Sequence, residues 1–468
     1  MRANLKSTIR TIGPVGFFLL VGAIFGLAFL LITPPFQGTD EVVHFYRSYQ
    51  LSEGNVIVDT HQGVVGGYLP ASLHKIAELT NTPPIAFYPQ LKYKEGATKY
   101  AASVKLDASK QKLYDFSATA GYSPISYAPS SMGIFLGRIF QARPIFLFYM
   151  GRLADLACWL VLFALAIHWM PRKKWVFVAL GLLPMSLFQA ATINVDGVTT
   201  ASLAIFLALV MKFRHEDRLL GRKALGLLLL IGTVMVLTKQ VMFIFLPLAL
   251  LLKQSNFSSA KQARAWKLAF IGLPLIFFAG WFAAVHGINT TSSYYNHQNP
   301  IAQEKFVLKN PESFINVMWN TYFYSWGDSV TRSFIGTFGW SDAPLSELIV
   351  TIGYIGLAFL TFVNIKGDLP VWLRRKEKLL LGAIGAVYVM AVSASLYAYY
   401  TPVGFKIITG LQGRYFIPLA LLMVPIFYNR SLIMTTKKYY RRVAVALPLF
   451  LLTTSVITLT VRYFVKNV

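Results

Sequence analysis

The residues best equipped for chemistry stand together near the N-terminus, in Pro34 to Gly54, PPFQGTDEVVHFYRSYQLSEG. Thr39 has the side chain to cap a short helix there, with Asp40 and Glu41 in a first turn whose positive end favours carboxylates, and Gly54 to end it. At helical spacing Asp40 and His44 share a face, as do Glu41, His44 and Arg47, beside Tyr46 and Tyr49. A carboxylate in such company can take a proton from a hydroxyl nucleophile. Acidic residues are equally at home in any first helical turn, so other polar groups must meet this stretch before it acquires a functional meaning.

Those groups lie in short polar breaks between apolar runs. Ile193-Asn194-Val195-Asp196-Gly197 has almost no room for a loop, which keeps the Asp196 carboxylate at membrane depth, where a charge is paired, liganded or functional. Lys239 falls in a tight Thr-Lys-Gln turn, Trp340-Ser341-Asp342 ends an aromatic stretch, and Gln412-Gly413-Arg414-Tyr415-Phe416 opens a later apolar run. Each has a structural alternative: Asp196 as a helix cap, Lys239 snorkelling to head groups, Arg414 as an interface anchor. Arg152 and Asp155, three residues apart, read as a buried structural pair. Taken together, carboxylates can serve as base while fixed cations hold a phosphate leaving group, Arg through its forked donors and Lys as a point charge. That kit fits sugar transfer from a polyprenyl phosphate at a membrane face. The sequence has no Gly-Lys-Ser/Thr nucleotide loop, so the activated lipid itself must supply the energy.

The elements that position these groups are membrane helices. Of 468 residues 55% are hydrophobic and only 13% charged, with a positive mean hydropathy, which marks an all-α polytopic membrane protein. Lys and Arg number 44 against 19 Asp and Glu, for a net charge of +25. The basic residues cluster between apolar runs, so the charge reports topology and contact with anionic membrane lipids rather than nucleic acid. The only cysteine, Cys158, lies in an apolar run, which excludes an internal disulfide and a Cys-based metal site. Apolar runs near 12–33, 145–169, 175–193, 197–213, 222–238, 240–252, 268–287, 345–364, 379–400, 412–429 and 443–463 predict eleven spans, although 222–252 is also readable as one broken helix. Eleven spans with a cytoplasmic N-terminus put every basic segment inside, from Arg172-Lys173-Lys174 to Arg430–Arg442. The N-terminal run has no Ala-x-Ala-like site after it and reads as a retained span.

The chain therefore predicts a single membrane domain with two structured outer loops, 34–144 and 288–344. Within the first, 123–140 predicts an amphipathic interfacial helix with Ile125, Met132, Phe135, Leu136 and Phe140 toward lipid or protein. Its middle, 55–120, carries mixed charge and turn signals such as Gly66-Gly67 and Pro83-Pro84. The second loop holds NTTSSYYNHQNP and YFYSWGDSVTRSFIGTFGWSD, an aromatic density suited either to sugar stacking or to an interfacial belt.

The run Pro-Pro-Phe-Gln-Gly-Thr-Asp-Glu-x-x-His-x-x-Arg, then Asn-x-Asp-Gly, Phe-Gly-Trp-x-Asp and Gln-Gly-Arg-Tyr-Phe-x-Pro, resembles a bacterial family of polytopic membrane proteins of formerly unknown function. That family resembles a branch of the GT-C glycosyltransferase superfamily. The resemblance covers nearly the whole chain and is most specific at Asp40–Arg47 and Gln412–Pro418. It implies a multi-pass protein of the bacterial cytoplasmic membrane with its site on the extracytoplasmic face, and a polyprenyl-phosphate sugar donor. It further implies an acidic base in the first outer loop, a second carboxylate after the third span, and an interfacial helix. These carry over as Asp40 (or Glu41), Asp196 and 123–140, with a divalent ion such as Mg or Mn held by Asp40 and Asp196 in some GT-C enzymes and absent from others. The expected activity is inverting transfer of a sugar to a hydroxyl of a cell-surface glycan, glycolipid or wall polymer. His44 and Asn194 would position groups, Arg414 and Lys239 would hold the donor phosphate, and Arg47, Trp340, Asp342, Gln412 and Tyr415 would line the substrate site. A transporter or flippase of a lipid-linked saccharide, or a non-enzymatic envelope-assembly partner, would use the same polar face differently.

Overall fold

In hydrocarbon every backbone N–H and C=O must bond within its own segment, so apolar runs become helices. In the computed structural model, which describes residues 12–81, 85–86, 88–288, 299–325, 327–365, 373–428 and 432–465, each of the eleven runs is helical in whole or in part. Among the described residues six helices are long and apolar enough to cross a membrane alone: Pro14–Ile32, Pro144–Trp169, Asp196–Glu216, Ala260–Ala284, Arg375–Tyr400 and Lys437–Phe464. The expectation of eleven comparable spans is corrected accordingly. The run 175–193 breaks at Pro184 into Lys174–Gly181 and Pro184–Ala190, and the run from 412 is divided into Gly413–Phe416 and Ile417–Ile426. Arg222–Thr238 and Glu347–Phe362 are shorter than the six. The chain is a predominantly α-helical, polytopic membrane protein.

The segment Gln240–Leu251 solves a length problem. Its 12 residues form a 3-10 helix, with Pro247 inside it. At the 3-10 rise they extend about 24 Å, against about 18 Å as an α-helix. Thr238 and Gln240 thus flank Lys239 at a sharp return, as two elements rather than one broken helix.

The central helix is Asp196–Glu216, whose residues are buried along nearly its whole length. It packs on Pro144–Trp169, on Arg222–Thr238 and on the 3-10 segment. In the long loop 34–144, Glu41–Ser52 lies against Pro124–Ile139, which in turn lies along Pro144–Trp169. Pro124–Ile139 is an amphipathic helix, with Met132, Phe135, Leu136 and the following Phe140 exposed and Tyr127, Ser130 and Ile134 buried.

The middle of that loop contains structure that composition does not announce. Asp59–His61, Val64–Pro70 and Gln111–Asp115 form a three-stranded antiparallel sheet, with Gly66 opposite both Asp59 and Asp115. Gly66 and Gly67 therefore sit inside a strand rather than at a turn; a Cβ on Gly66 would lie 1.8 Å from the Tyr114 carbonyl oxygen, so only glycine permits this approach. Residues 82–84, with Pro83-Pro84, and 289–298 of the NTTSSYYNHQNP segment lie outside the described residues.

Candidate functional site

Asp40 is held by an unusual backbone. It is the N-cap of Glu41–Ser52 and adopts the left-handed conformation, φ 58° and ψ 16°, without bonding its side chain to the helix. A non-glycine residue in that region stores strain, which is commonest where the surrounding structure has a use for it. The expected Thr39 cap does not form: the Thr39 hydroxyl donates to the Gly339 carbonyl at 3.0 Å, tying this turn to the distant Phe338–Gly339–Trp340 segment. Asp40 is open to solvent by surface area yet recessed among protein, and that desolvation raises its pKa above the usual carboxylate value, partly countered by the Arg414 charge. An open carboxylate of raised basicity suits proton abstraction.

Glu41, one residue on, is buried and fully engaged. Arg152 donates Nε to Oε1 at 2.7 Å and a terminal nitrogen to Oε2 at 2.6 Å, and the backbone N–H groups of Gly38 and Ile193 donate to the same carboxylate at 3.2 and 2.9 Å. Arg152 also donates to the carbonyls of Leu30, Thr33 and Pro34. The expected Arg152–Asp155 pair is therefore corrected: the guanidinium turns to Glu41, and Asp155 is buried apart from it. With every lone pair in use, Glu41 is a structural carboxylate here.

The bond from Ile193 leads to the second carboxylate. Asn194 builds the turn: its amide donates to the Gln189 and Thr192 carbonyls, and its side-chain oxygen accepts from the Asp196 N–H at 2.8 Å. Asp196 is thereby set at the start of the central helix, its carboxylate facing two cations. Lys239 Nζ donates to Oδ1 at 2.9 Å and Arg414 Nε stands 3.8 Å from Oδ2. Both cations lie 5.3 Å from the centre of the Tyr415 ring. Arg414 and Tyr415 are delivered by a short 3-10 turn, Gly413–Phe416, seated closely on Gly327–Ile335. A Cβ on Gly413 would come within 2.1 Å of the Val330 carbonyl oxygen, and the Gly413 N–H donates to the Ser333 hydroxyl at 2.7 Å.

His44 lies within the same field. Burial pushes its pKa down to about 3, opposed by Asp196 and reinforced by Arg414 and Lys239, so the imidazole is neutral. Its Nδ1 is 2.8 Å from the Tyr127 hydroxyl of the interfacial helix.

Besides Glu41, four expected site residues do not join this cluster. Arg47 is buried and donates to the Gln50 side chain and to the Asn55 and Val56 carbonyls, which fixes the turn leaving its helix. Asp342 pairs with Arg462 through Nε at 2.9 Å, while Trp340 donates its indole N–H to the Phe36 carbonyl at 3.4 Å. They brace the loop that carries Asp40. Gln412 faces a separate hollow with Ser329, Arg332 and Ser341.

Composition alone also misses the walls of the site. Beside Lys239 is a cleft of about 150 Å³ lined by Tyr122, Tyr388, Val392, Leu396, Tyr400 and Tyr415. Tyr399 and Tyr400 close an apolar run, an interfacial signal that gives no hint of which cleft Tyr400 faces. The cluster is a poor metal site: among the described residues no three His, Cys, Asp or Glu side chains converge, and Lys239 and Arg414 already supply the positive charge at Asp196.

No curated protein matches the chain. A family model described as "Predicted membrane protein (DUF2142)" matches residues 23–423, which span the Asp40 turn, the Asn194–Asp196 turn, Lys239 and the Gly413–Phe416 segment alike. On that match the chain belongs to the DUF2142 family of membrane proteins.

Proposed function

We propose that the protein is a GT-C-type membrane glycosyltransferase that moves one sugar from a polyprenyl phosphate to a hydroxyl of a cell-surface glycan, glycolipid or wall polymer. The observation that carries this reading is the convergence of Lys239 and Arg414 on Asp196, next to an unengaged Asp40 carboxylate and an aromatic-lined cleft. Asp40 accepts the proton of the acceptor hydroxyl. The oxygen attacks the anomeric carbon, the bond from that carbon to the phosphate oxygen breaks, and configuration inverts. Polyprenyl phosphate leaves with its charge held by Lys239 and Arg414, and the apolar side of the cleft, Val392 and Leu396, takes the start of the lipid chain. Asp196 holds the two cations in place, and neutral His44 positions the acceptor.

The Asp40 face is taken as extracytoplasmic because Arg172–Lys174, Lys212–Lys223 and Lys253–Lys267 lie at the other ends of the helices that carry the site. The test is a single-turnover incubation of purified protein in nanodiscs with a panel of polyprenyl-phosphate sugars and cell-envelope glycan, comparing wild type with Asp40→Asn. Release of polyprenyl phosphate by wild type alone supports the reading. Binding of the lipid without release by either protein overturns it in favour of transport of a lipid-linked saccharide.

A further inference from the structure

The central helix has a second charged end. Its 21 residues separate Asp196 from the last turn by about 30 Å, and that last turn carries Arg214 and His215. There a cavity of about 820 Å³ opens, walled by this turn, by Leu250 to Ser255, by Lys267 and by the start of Arg375–Tyr400.

Its charge is unbalanced. Among the described residues that line it, four cations, Arg214, Lys253, Lys267 and Arg374, face two carboxylates, Asp217 and Glu377. Both carboxylates are already engaged: Glu377 accepts from Arg214 at 2.8 Å and Asp217 from Lys253 at 2.7 Å. Lys267 donates to the neutral Leu250 carbonyl at 3.3 Å, a contact that cancels no charge. Arg214 is 4% exposed, so one of the cations is fixed in the wall rather than waving in solvent. Apolar Leu250, which is 40% exposed, borders the same opening.

We propose that this cavity binds a phosphate-bearing anion, at a site separate from the Asp196 cluster and on the opposite face of the membrane. Lys267 and Arg374 carry the phosphate charge, with Arg214 as the rigid back wall. The anion is either the head group of an anionic phospholipid, whose chains run along the leucines, or a free phosphate or diphosphate. This inference stands independently of the glycosyl-transfer reading.

The experiment uses the full-length protein in two settings. In nanodiscs of phosphatidylcholine alone, inorganic phosphate and pyrophosphate are titrated calorimetrically. In nanodiscs that also contain phosphatidylglycerol, lipid retained after gentle extraction is measured by native mass spectrometry. The comparison is with Lys267→Gln/Arg374→Gln, and with Lys267→Arg as the charge-preserving control; equal unfolding temperatures exclude misfolding. Binding in either setting that weakens about tenfold or more in the double variant and persists in Lys267→Arg supports the site, and the setting in which it occurs identifies the source of the phosphate. No binding by wild type in either setting, or binding unchanged by the double variant, overturns it.

Discussion

Glu41 and Arg152 form a bidentate ion pair with both side chains fully buried, and the same carboxylate takes the Ile193 N–H at 2.9 Å. One side chain thus locks the Asp40 turn, the second long helix and the Asn194–Asp196 turn together. Removing one partner of such a pair leaves an uncompensated charge away from water. Glu41→Gln should lower stability by about 3–5 kcal/mol and reduce activity only in proportion to folded protein. Thermal unfolding in nanodiscs measures the first, and turnover normalised to folded material the second; full stability in the variant would contradict the structural role.

Asp40→Asn should behave in the opposite way. Transfer should fall by at least about 100-fold while the protein remains folded. Its folded pKa lies above the ordinary 3.8, so the ionised group costs stability, a cost that sets in as pH rises from 3.8 through the raised value. The Asn variant should therefore be no less stable than wild type at neutral pH. Paired unfolding curves at acidic and neutral pH check the sign.

The pH profile of transfer should show one acidic limb. The rate should rise as Asp40 ionises, through a pKa above the usual carboxylate range, and then level off. His44, with its pKa pushed down to about 3, should contribute no inflection between about pH 5 and 8. His44→Gln should lower the rate and leave the profile's shape unchanged over that interval; an inflection near pH 6.5 that disappears in this variant would show an ionising imidazole instead.

Arg414→Ala and Lys239→Ala should each weaken donor binding by roughly 10- to 100-fold and change acceptor affinity far less. Titration with a non-hydrolysable polyprenyl phosphonate separates the two. Equal losses for both substrates would point to collapse of the cluster around Asp196 rather than to a phosphate contact.

Gly413→Ala tests how Arg414 is delivered. The added methyl would press on the Val330 carbonyl and the Phe334 backbone, so the turn must shift, at a cost of about 1–3 kcal/mol. Donor affinity should drop with Arg414 itself intact, and an unaltered donor affinity would show that the turn is less constrained than this contact implies.

Local signals carried much of the fold. Apolar runs located the membrane helices, and Pro124 to Phe140 announced its amphipathic character because its apolar side chains repeat at helical spacing. Span number was less legible, since hydropathy does not register that Pro184 divides a run or that Gln240–Leu251 winds as a longer 3-10 helix. The meeting of Asp196, Lys239 and Arg414 at tight turns was partly readable because polar groups in short breaks between apolar runs are few. Long-range choices were not: nothing in Glu41 or Asp155 tells which of them Arg152 will meet, and Asp342 gives no sign of Arg462, which lies 120 residues further along. The Thr39 cap failed for the same reason, because a distant carbonyl, Gly339, competes for its hydroxyl.

The last long helix has a bearing on how the protein is made. Arg462 donates to the Ile85 and Leu91 carbonyls as well as to Asp342, and the Tyr93 N–H donates to the Tyr463 carbonyl, so Lys437–Phe464 fastens the 85–93 segment. Asp40 emerges early in translation, Asp196 midway, and Arg414 late. A nascent chain inserting in order therefore presents the Asp40 turn long before the Gly413–Phe416 turn that carries Arg414, and residues 85–93 wait for Arg462 to be latched. On the proposed function, the cluster of Asp40, Asp196, Lys239 and Arg414 is complete only once the late Gly413–Phe416 turn is in place, which would keep a half-inserted protein from acting on lipid-linked sugar.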